Sequence, residues 1–272
     1  MRCGKPRAAG FARSERPVLL PSCVTGGGDG SILRLGRVPT LGQEIVLDCG
    51  NRLALDCWRA RPGEILTAMD EQNECYRMRL TQTGENLRGT PFARLKRSVE
   101  SSLHLEVYQA LPEKERFELV LQKLTELGVS RIAPVETLRS STQAQRDAGQ
   151  AKSHRWPEVI LRAAKQCRRA SLPELYSSVS FAAASTLASA AELKLMLYEG
   201  EGVCSVTAAL GRRRSARVAL LVGPEGGFAA EEVAAARAAG FLPVSLGPRI
   251  LRTETAAIAA TALLQGLLGD LC

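Results

Sequence analysis

Along its first third the chain sets apolar and polar positions in short alternating runs. The runs 44-EIVLD-48, 53-LALDCW-58 and 76-YRMRL-80 are separated by Gly, Pro, Asn and Asp, a pattern that predicts β-strands joined by turns. From about Arg16 to Arg97 this reads as a small β-barrel or sandwich. The character changes after the basic segment 94-RLKR-97. A strand is predicted at 103-LHLEVYQAL-111, followed by a helix in which Phe117, Val120, Leu121, Leu124 and Leu127 recur at i, i+3, i+4, i+7 spacing and Gly128 supplies the stop. Strands at 129-VSRIAPV-135, 193-LKLMLYE-199, 217-RVALLVG-223 and 241-FLPVSLG-247 then alternate with a basic helix within 152–170, a short helix near 203–211, an alanine-rich helix and a final helix at 255–268. Residues 140–153 read only as a polar stretch. Such alternation predicts an α/β unit with a mostly parallel sheet and helices on its faces. The chain therefore divides into a basic extension over 1–15, a β-rich unit over 16–97 and an α/β unit over 98–272.

Composition narrows the class. The 272 residues, 45% of them hydrophobic, can support a proper core. No run of eighteen apolar residues occurs, and the opening MRCGKPRAAGFARSER lacks the apolar stretch of a secretion signal, so a cytoplasmic protein is expected. The eight cysteines form no CxxC pair, and the two histidines, His104 and His154, lie far apart with no HExxH. That usage predicts reduced thiols and no metal. Thirty-six Lys and Arg against twenty-eight Asp and Glu give a formal charge of +8, which suits a polyanionic partner. In the basic helix Arg162, Lys165, Gln166 and Arg169 recur at helical spacing, either as a stripe that contacts phosphates or as a solvated face.

Candidate chemistry concentrates near the end. In 222-VGPEGGFAAEEVAAARAAGF-241 a hydrophobic strand runs into Gly223, Pro224, Glu225, Gly226 and Gly227 before the alanine-rich helix, whose first turn carries Glu231 and Glu232 as partners for the helix dipole. Glycines there let a ligand approach the main chain where parallel strands end. No GKS or GKT follows and no GxGxxG is present, so the spacing supports a nucleotide-like pocket and no more. A second loop, 245-SLGPRILRTETAAIAA-260, ends a strand at Gly247, flanks Ile250 and Leu251 with Arg249 and Arg252, and offers Thr253 as a cap for the last helix.

These two loops in this order resemble those of the SPOUT-class methyltransferases. The likeness is greatest to the ribosomal RNA small subunit methyltransferase E family, which methylates N3 of a uridine in 16S ribosomal RNA. Further matching stretches precede them in order: 123-KLTELGVSRIAPV-135, Arg139 with Ser140, the pair His154 and Arg155 before Trp156, and 163-AAKQCRR-169. The resemblance covers about residues 105–270. It departs from the family pattern at Leu138, Lys165 and Arg168, and before Arg34 in 28-GDGSILRL-35 the usual histidine pair is missing.

The resemblance implies a C-terminal parallel sheet tied in a trefoil knot, an N-terminal barrel of PUA-like form that binds RNA, and a homodimer that buries the apolar final helix. It implies S-adenosylmethionine as cofactor, held by Leu197 and Glu199, by Gly223, Pro224, Glu225, Gly226 and Gly227, and by Leu246, Gly247, Ile250 and Leu251. Ribosomal RNA in the small subunit is the implied partner, with Arg34, Arg139, Arg162, Lys165, Gln166 and Arg169 as contacts. Uridine N3 carries a proton, so transfer requires a base or stabilisation of the uracil anion. Arg252 or Arg249 is the expected donor to the uracil oxygens, and Glu254 is expected to orient the arginine or take the proton. N3 is paired in duplex RNA, so the target base must be single-stranded or flipped out. Two alternatives keep the same motifs: methylation of another RNA position, and an inactive RNA-binding or ribosome-assembly factor.

Overall fold

The computed structural model describes residues 23–112, 116–150, 153–200, 202–211 and 214–271; the basic extension expected over 1–15 lies outside them. In the N-terminal part, β1 (Leu33–Arg34), β2 (Ile45–Val46), helix α1 (Asn51–Cys57), β3 (Ile65–Met69), β4 (Cys75–Gln82) and β5 (Arg88–Arg94) follow one another. The five strands form one sheet in the order β1-β3-β4-β5-β2. Strand β1 runs parallel to β3 and the other pairings are antiparallel, with two register shifts between β4 and β5 that bend the ribbon.

Helix α1 corrects the strand expected at 53–58. Asn51, Ala54, Leu55 and Trp58 are buried while Leu53 is 62% exposed, which is an i, i+3, i+4, i+7 stripe rather than alternation. The Asn51 side chain accepts from the Arg34 backbone N–H at 2.7 Å and donates to the Arg34 carbonyl at 2.9 Å. It thereby satisfies the outer edge of β1 as another strand would.

The second sheet is assembled from β6 (His104–Ala110), α2 (Arg116–Glu126), β7 (Arg131–Glu136), α3 (Gln143–Gln150), α4 (Trp156–Cys167), β8 (Glu174–Leu175), β9 (Val179–Ser180) and α5 (Phe181–Leu187). It is completed by β10 (Leu193–Leu197), β11 (Cys204–Ser205), α6 (Val206–Leu210), β12 (Arg217–Val222), α7 (Ala230–Ala238), β13 (Leu242–Ser245) and α8 (Thr253–Leu268). Its order is β11-β13-β10-β12-β6-β7-β8, with β9 also paired to β7, and every pairing is parallel. Helix α3 falls within the polar stretch at 140–153, where no apolar period announces it.

Residues of alternating parity on these strands feed two apolar layers. Leu105, Val107, Leu195, Val218 and Leu220 pack against Phe117, Val120, Leu121 and Leu124 of α2, Ile160 of α4, and Ala257, Ala260 and Leu264 of α8. Tyr108, Ala133, Met196, Ala219 and Leu221 face Ala183 and Ala184 of α5 and Val233 and Ala236 of α7. Helix α8, expected to be apolar on almost every side, buries one side here; Leu263 and Leu267 on the other are 36% and 39% exposed.

The two sheets share side chains. Leu161 and Ala164 of α4, with Leu172 after it, belong to the apolar cluster of the first sheet together with Leu33, Trp58, Met78 and Leu80. Backbone bonds Val24 N–H to Leu175 O and Gly28 N–H to Leu172 O, both 2.8 Å, add a second seam.

A row of charge crosses the sheet away from the late loops. Arg131 of β7 contacts Glu106 of β6 and Glu174 of β8, each at 2.8 Å, and Tyr108 Oη donates to Glu106 at 2.6 Å. Burial pushes the Glu106 carboxyl up, but hydrogen bonds from His104 and Tyr108 and the Arg131 charge outweigh it and hold it below its ordinary value. No helix among the described residues is long and apolar enough to cross a membrane.

Candidate functional site

Three neighbouring parallel strands, β13, β10 and β12, end side by side, so the loops that leave their C-terminal ends must meet. They enclose a cleft of about 600 Å³. Leu197 and Glu199 come from the end of β10, Gly223, Pro224, Glu225, Gly226 and Gly227 from the loop after β12, and Leu246, Gly247, Ile250 and Leu251 from the loop after β13. Arg249 and Arg252 line the same cleft, and so does Arg139. Volumes of 300–1,000 Å³ or so are usual for small-molecule sites.

The glycine loop is held at several points. Gly227 N–H bonds to Pro224 O at 3.0 Å, closing a turn, and Gly227 takes a φ of +68° that side chains resist. A Cβ on Gly223 would stand 3.0 Å from the ring of Phe228, which is buried and packs edge-on against Phe181 with centroids 6.0 Å apart. A side chain there would have to shift the Phe228 ring by a few tenths of an ångström. Arg139 donates to Gly226 O at 3.0 Å, and Thr253 Oγ1 donates to Gly223 O at 2.5 Å. Glu232 in the first turn of α7 accepts from Ala229 N–H at 2.9 Å and from Leu138 N–H at 2.8 Å. It thus caps its own helix and fixes the segment that carries Arg139; Glu231 is exposed.

The second loop presents its functional groups to solvent. Ile250 is 86% exposed, the most exposed large apolar side chain among the described residues. Arg249 and Arg252 are exposed and make no ion pair among the described residues. Arg252 occupies the position before α8, and its side chain makes no capping bond. Thr253 does not cap α8 as expected, because it is the first helical residue and its hydroxyl turns to Gly223 O and Gln109. Glu254 is absent from the cleft lining: its side chain, 13% exposed, lies 3.8 Å from Arg116 at the start of α2, and its Oε2 is buried without a hydrogen-bond partner. The arginine it faces is therefore Arg116, not Arg249 or Arg252. Arg116 also reaches Glu225 of the glycine loop at 3.2 Å.

The basic stripe expected on α4 is corrected at Arg169. The helix ends at Cys167, and Arg168 adopts a left-handed conformation with φ +61°, which turns Arg169 inward. Its guanidinium is 5% exposed and bonds to Glu100 at 2.6 Å, Val129 O at 2.8 Å and Thr125 O at 3.2 Å. Four of its five N–H groups are so engaged, and the buried side chain presents no surface to a phosphate. Lys165 pairs with Glu64 at 2.8 Å and Arg162 with Glu158 at 2.9 Å, while Gln166 is exposed. Arg34 is distant in the topology, on the first sheet, where it bonds to Asn73 at 3.1 Å and lines a separate cleft of about 810 Å³ with residues 35–40, 43 and 45–49. Among the described residues no cluster of three or more His, Cys, Asp or Glu could hold a metal ion.

Residues that the sequence reading passed over complete the site. Gln109 at the end of β6 and Arg116 on α2 reach it over more than a hundred residues of chain, and no local period marks either.

Known proteins are similar to this chain in sequence and in fold. A ribosomal RNA small subunit methyltransferase E of Mycobacterium bovis is 36% identical over 214 residues, covering 74% of this chain and 78% of the relative. The crystal structure of a ribosomal RNA small subunit methyltransferase E from Neisseria gonorrhoeae bound to S-adenosyl methionine superposes with a TM-score of 0.63 at 30% identity, over 88% of this chain and 98% of that one. A putative methyltransferase from Legionella pneumophila, solved with bound cofactor SAM, gives 0.62 at 33% identity over 88% and 99%. The family model described as an RNA methyltransferase domain matches residues 99–265, and the chain belongs to that family.

Proposed function

We propose that this protein transfers the methyl group of S-adenosylmethionine to N3 of a uridine in small-subunit ribosomal RNA. The observation that carries the reading is the meeting of three loops in one cleft, with two unpaired arginines on its wall. The residues fit the cofactor. Gly223, Gly226 and Gly227 bring main chain to the cleft wall, where a nucleoside edge can meet it, and Leu246, Ile250 and Leu251 offer apolar side chains to an adenine ring. Bound there, S-adenosylmethionine supplies an electrophilic methyl on a sulfonium. The chain's own part is to orient and to compensate charge. Arg252, with Arg249 beside it in the loop, donates to the uracil oxygens as N3 gives its proton to solvent water at the cleft mouth, which stabilises the developing anion in place. Glu254 acts from behind the wall as an anchor for Arg116, since its carboxylate faces α2.

The finer architecture follows the same reading. Residues 98–272 form the methyltransferase unit, and its chain is tied in a trefoil knot; the order β13-β10-β12, in which the chain leaves β12, passes β10 and pairs on its far side, supports this. The described residues up to Arg97 form a PUA-like barrel that holds RNA, and Arg34 belongs to its surface. Arg139, Arg162, Lys165 and Gln166 contribute to the RNA side of the second unit, in which Arg139 also holds the glycine loop. The protein acts in the cytoplasm on this reading.

The test is methyl transfer from tritiated S-adenosylmethionine to small ribosomal subunits lacking the modification, with free ribosomal RNA in parallel and mass mapping of the product. Label at a uridine N3 is the expected result. Label at another atom leaves a methyltransferase of different specificity, and no label with intact S-adenosylhomocysteine binding leaves a binding factor.

The apolar outer side of α8 adds a homodimer to this reading. Leu263 and Leu267, with Leu119 of the neighbouring α2 at 42% exposure, form a solvent-facing stripe that a second copy would cover. Sedimentation is expected to give a dimer at micromolar concentration; a monomer there removes the dimer from the reading.

A further inference from the structure

Gln109 is fully buried at the C-terminal end of β6, in register with Val222 of β12. Its amide nitrogen donates to Ala110 O and to Thr253 Oγ1, each at 2.9 Å. Thr253 has one hydroxyl hydrogen and gives it to Gly223 O at 2.5 Å. The direction of the chain is thereby fixed: the amide donates to the hydroxyl, and the hydroxyl donates to the carbonyl. Gln109 Oε1 has no hydrogen-bond partner. A buried amide with an unpaired oxygen is costly, and an apolar side chain of the same length would fill the space without that cost.

The two groups at the far end of this chain of bonds matter for the cleft. Gly223 is where β12 becomes the glycine loop, and Thr253 directly follows Arg252. A single buried relay therefore sets the spacing between the loop that would cradle the methyl donor and the arginine that would face the base. We propose that Gln109 and Thr253 are positioning residues for methyl transfer, acting through Gly223 and Arg252; Thr253 also lines the cleft, but its hydroxyl hydrogen is committed to Gly223 O. The proposal rests on the methyltransferase reading above, and it predicts an effect on turnover rather than on binding. Displacing a reacting group by an ångström can cost about 10²-fold in rate even when contacts elsewhere persist.

The experiment compares Thr253→Val, Gln109→Met, the double variant and Thr253→Ser with the wild type. It reads kcat and KM for methyl transfer to small ribosomal subunits, the Kd of S-adenosylhomocysteine, and thermal unfolding to select a temperature at which all are folded. Thr253→Val is expected to lower kcat by about 10²-fold with KM and Kd within about threefold. Gln109→Met should fall in the same direction, the double variant no further than Thr253→Val, and Thr253→Ser should recover most of the rate because it restores the hydroxyl. Wild-type kcat in folded Thr253→Val overturns the relay. So does a Thr253→Ser variant as slow as Thr253→Val, or a loss confined to KM and Kd. A wild-type protein that binds S-adenosylhomocysteine but methylates no RNA overturns the function itself, and that failure is visible before any substitution is made.

Discussion

Replacing Arg252 by alanine is expected to lower the methyl-transfer rate about 10²- to 10³-fold while the affinity for S-adenosylhomocysteine stays within about threefold. The Arg252 side chain is unengaged among the described residues. It makes no ion pair among the described residues, it does not cap α8, and it stands exposed on the cleft wall. A guanidinium left without an internal partner, on a backbone pinned by the next residue, is placed to meet charge that appears only during reaction. Arg249 is equally exposed but sits in mid-loop, between Gly247 and Ile250, without such an anchor. Arg249→Ala should therefore cost less. Steady-state kinetics with calorimetry on both variants checks this, and an Arg252→Ala protein of full activity would falsify the assignment.

Arg169→Met is expected to act on stability and not on RNA affinity. The Arg169 side chain is 5% exposed and that of Glu100 19%, and their contact is 2.6 Å. Glu100 also accepts from the backbone N–H groups of Ala170 and Ser171 at 2.7 and 3.1 Å. Removing the guanidinium leaves a mostly buried carboxylate without its counter-charge, a change that costs about 3–5 kcal/mol. For a chain of this size the unfolding midpoint should fall by roughly 10 °C. Below that midpoint, binding to ribosomal RNA should match the wild type and keep its dependence on salt. A stable Arg169→Met protein with weakened RNA binding would return Arg169 to the surface role that its spacing first suggested.

Why that spacing misled is a matter of where the helix stops. Arg162, Lys165, Gln166 and Arg169 fit one stripe only if the helix continues, and a left-handed residue at Arg168 ends it one step too early. The segment 53–58 failed in the opposite sense: apolar residues at 53, 55 and 57 satisfy a period of two, while the buried set that includes Asn51 and Trp58 satisfies the helical one. A buried asparagine that stands in for a strand edge leaves no mark in an apolar pattern. By contrast β6, α2, β7, β10, β12 and β13 were legible, because their apolar runs or periods stand out and most of them end near a Gly or Pro. The cleft was legible for the same reason: its glycines and arginines cluster at the ends of those strands. Gln109, Arg116 and the anchoring orientation of Glu254 were not. Their meaning lies in partners far along the chain, which only the folded sheet brings near.

Leu161, Ala164 and Leu172 are contributed by one half of the chain and packed into the interior of the other. The halves are consequently joined by a shared keel of apolar packing, which holds them at one separation in this structure. On the function proposed, such a molecule works as a ruler: it grips a nucleic acid at one end and can modify only the base that falls at its other. Many uridines in a large RNA are chemically alike, and a rigid reach distinguishes them by location alone.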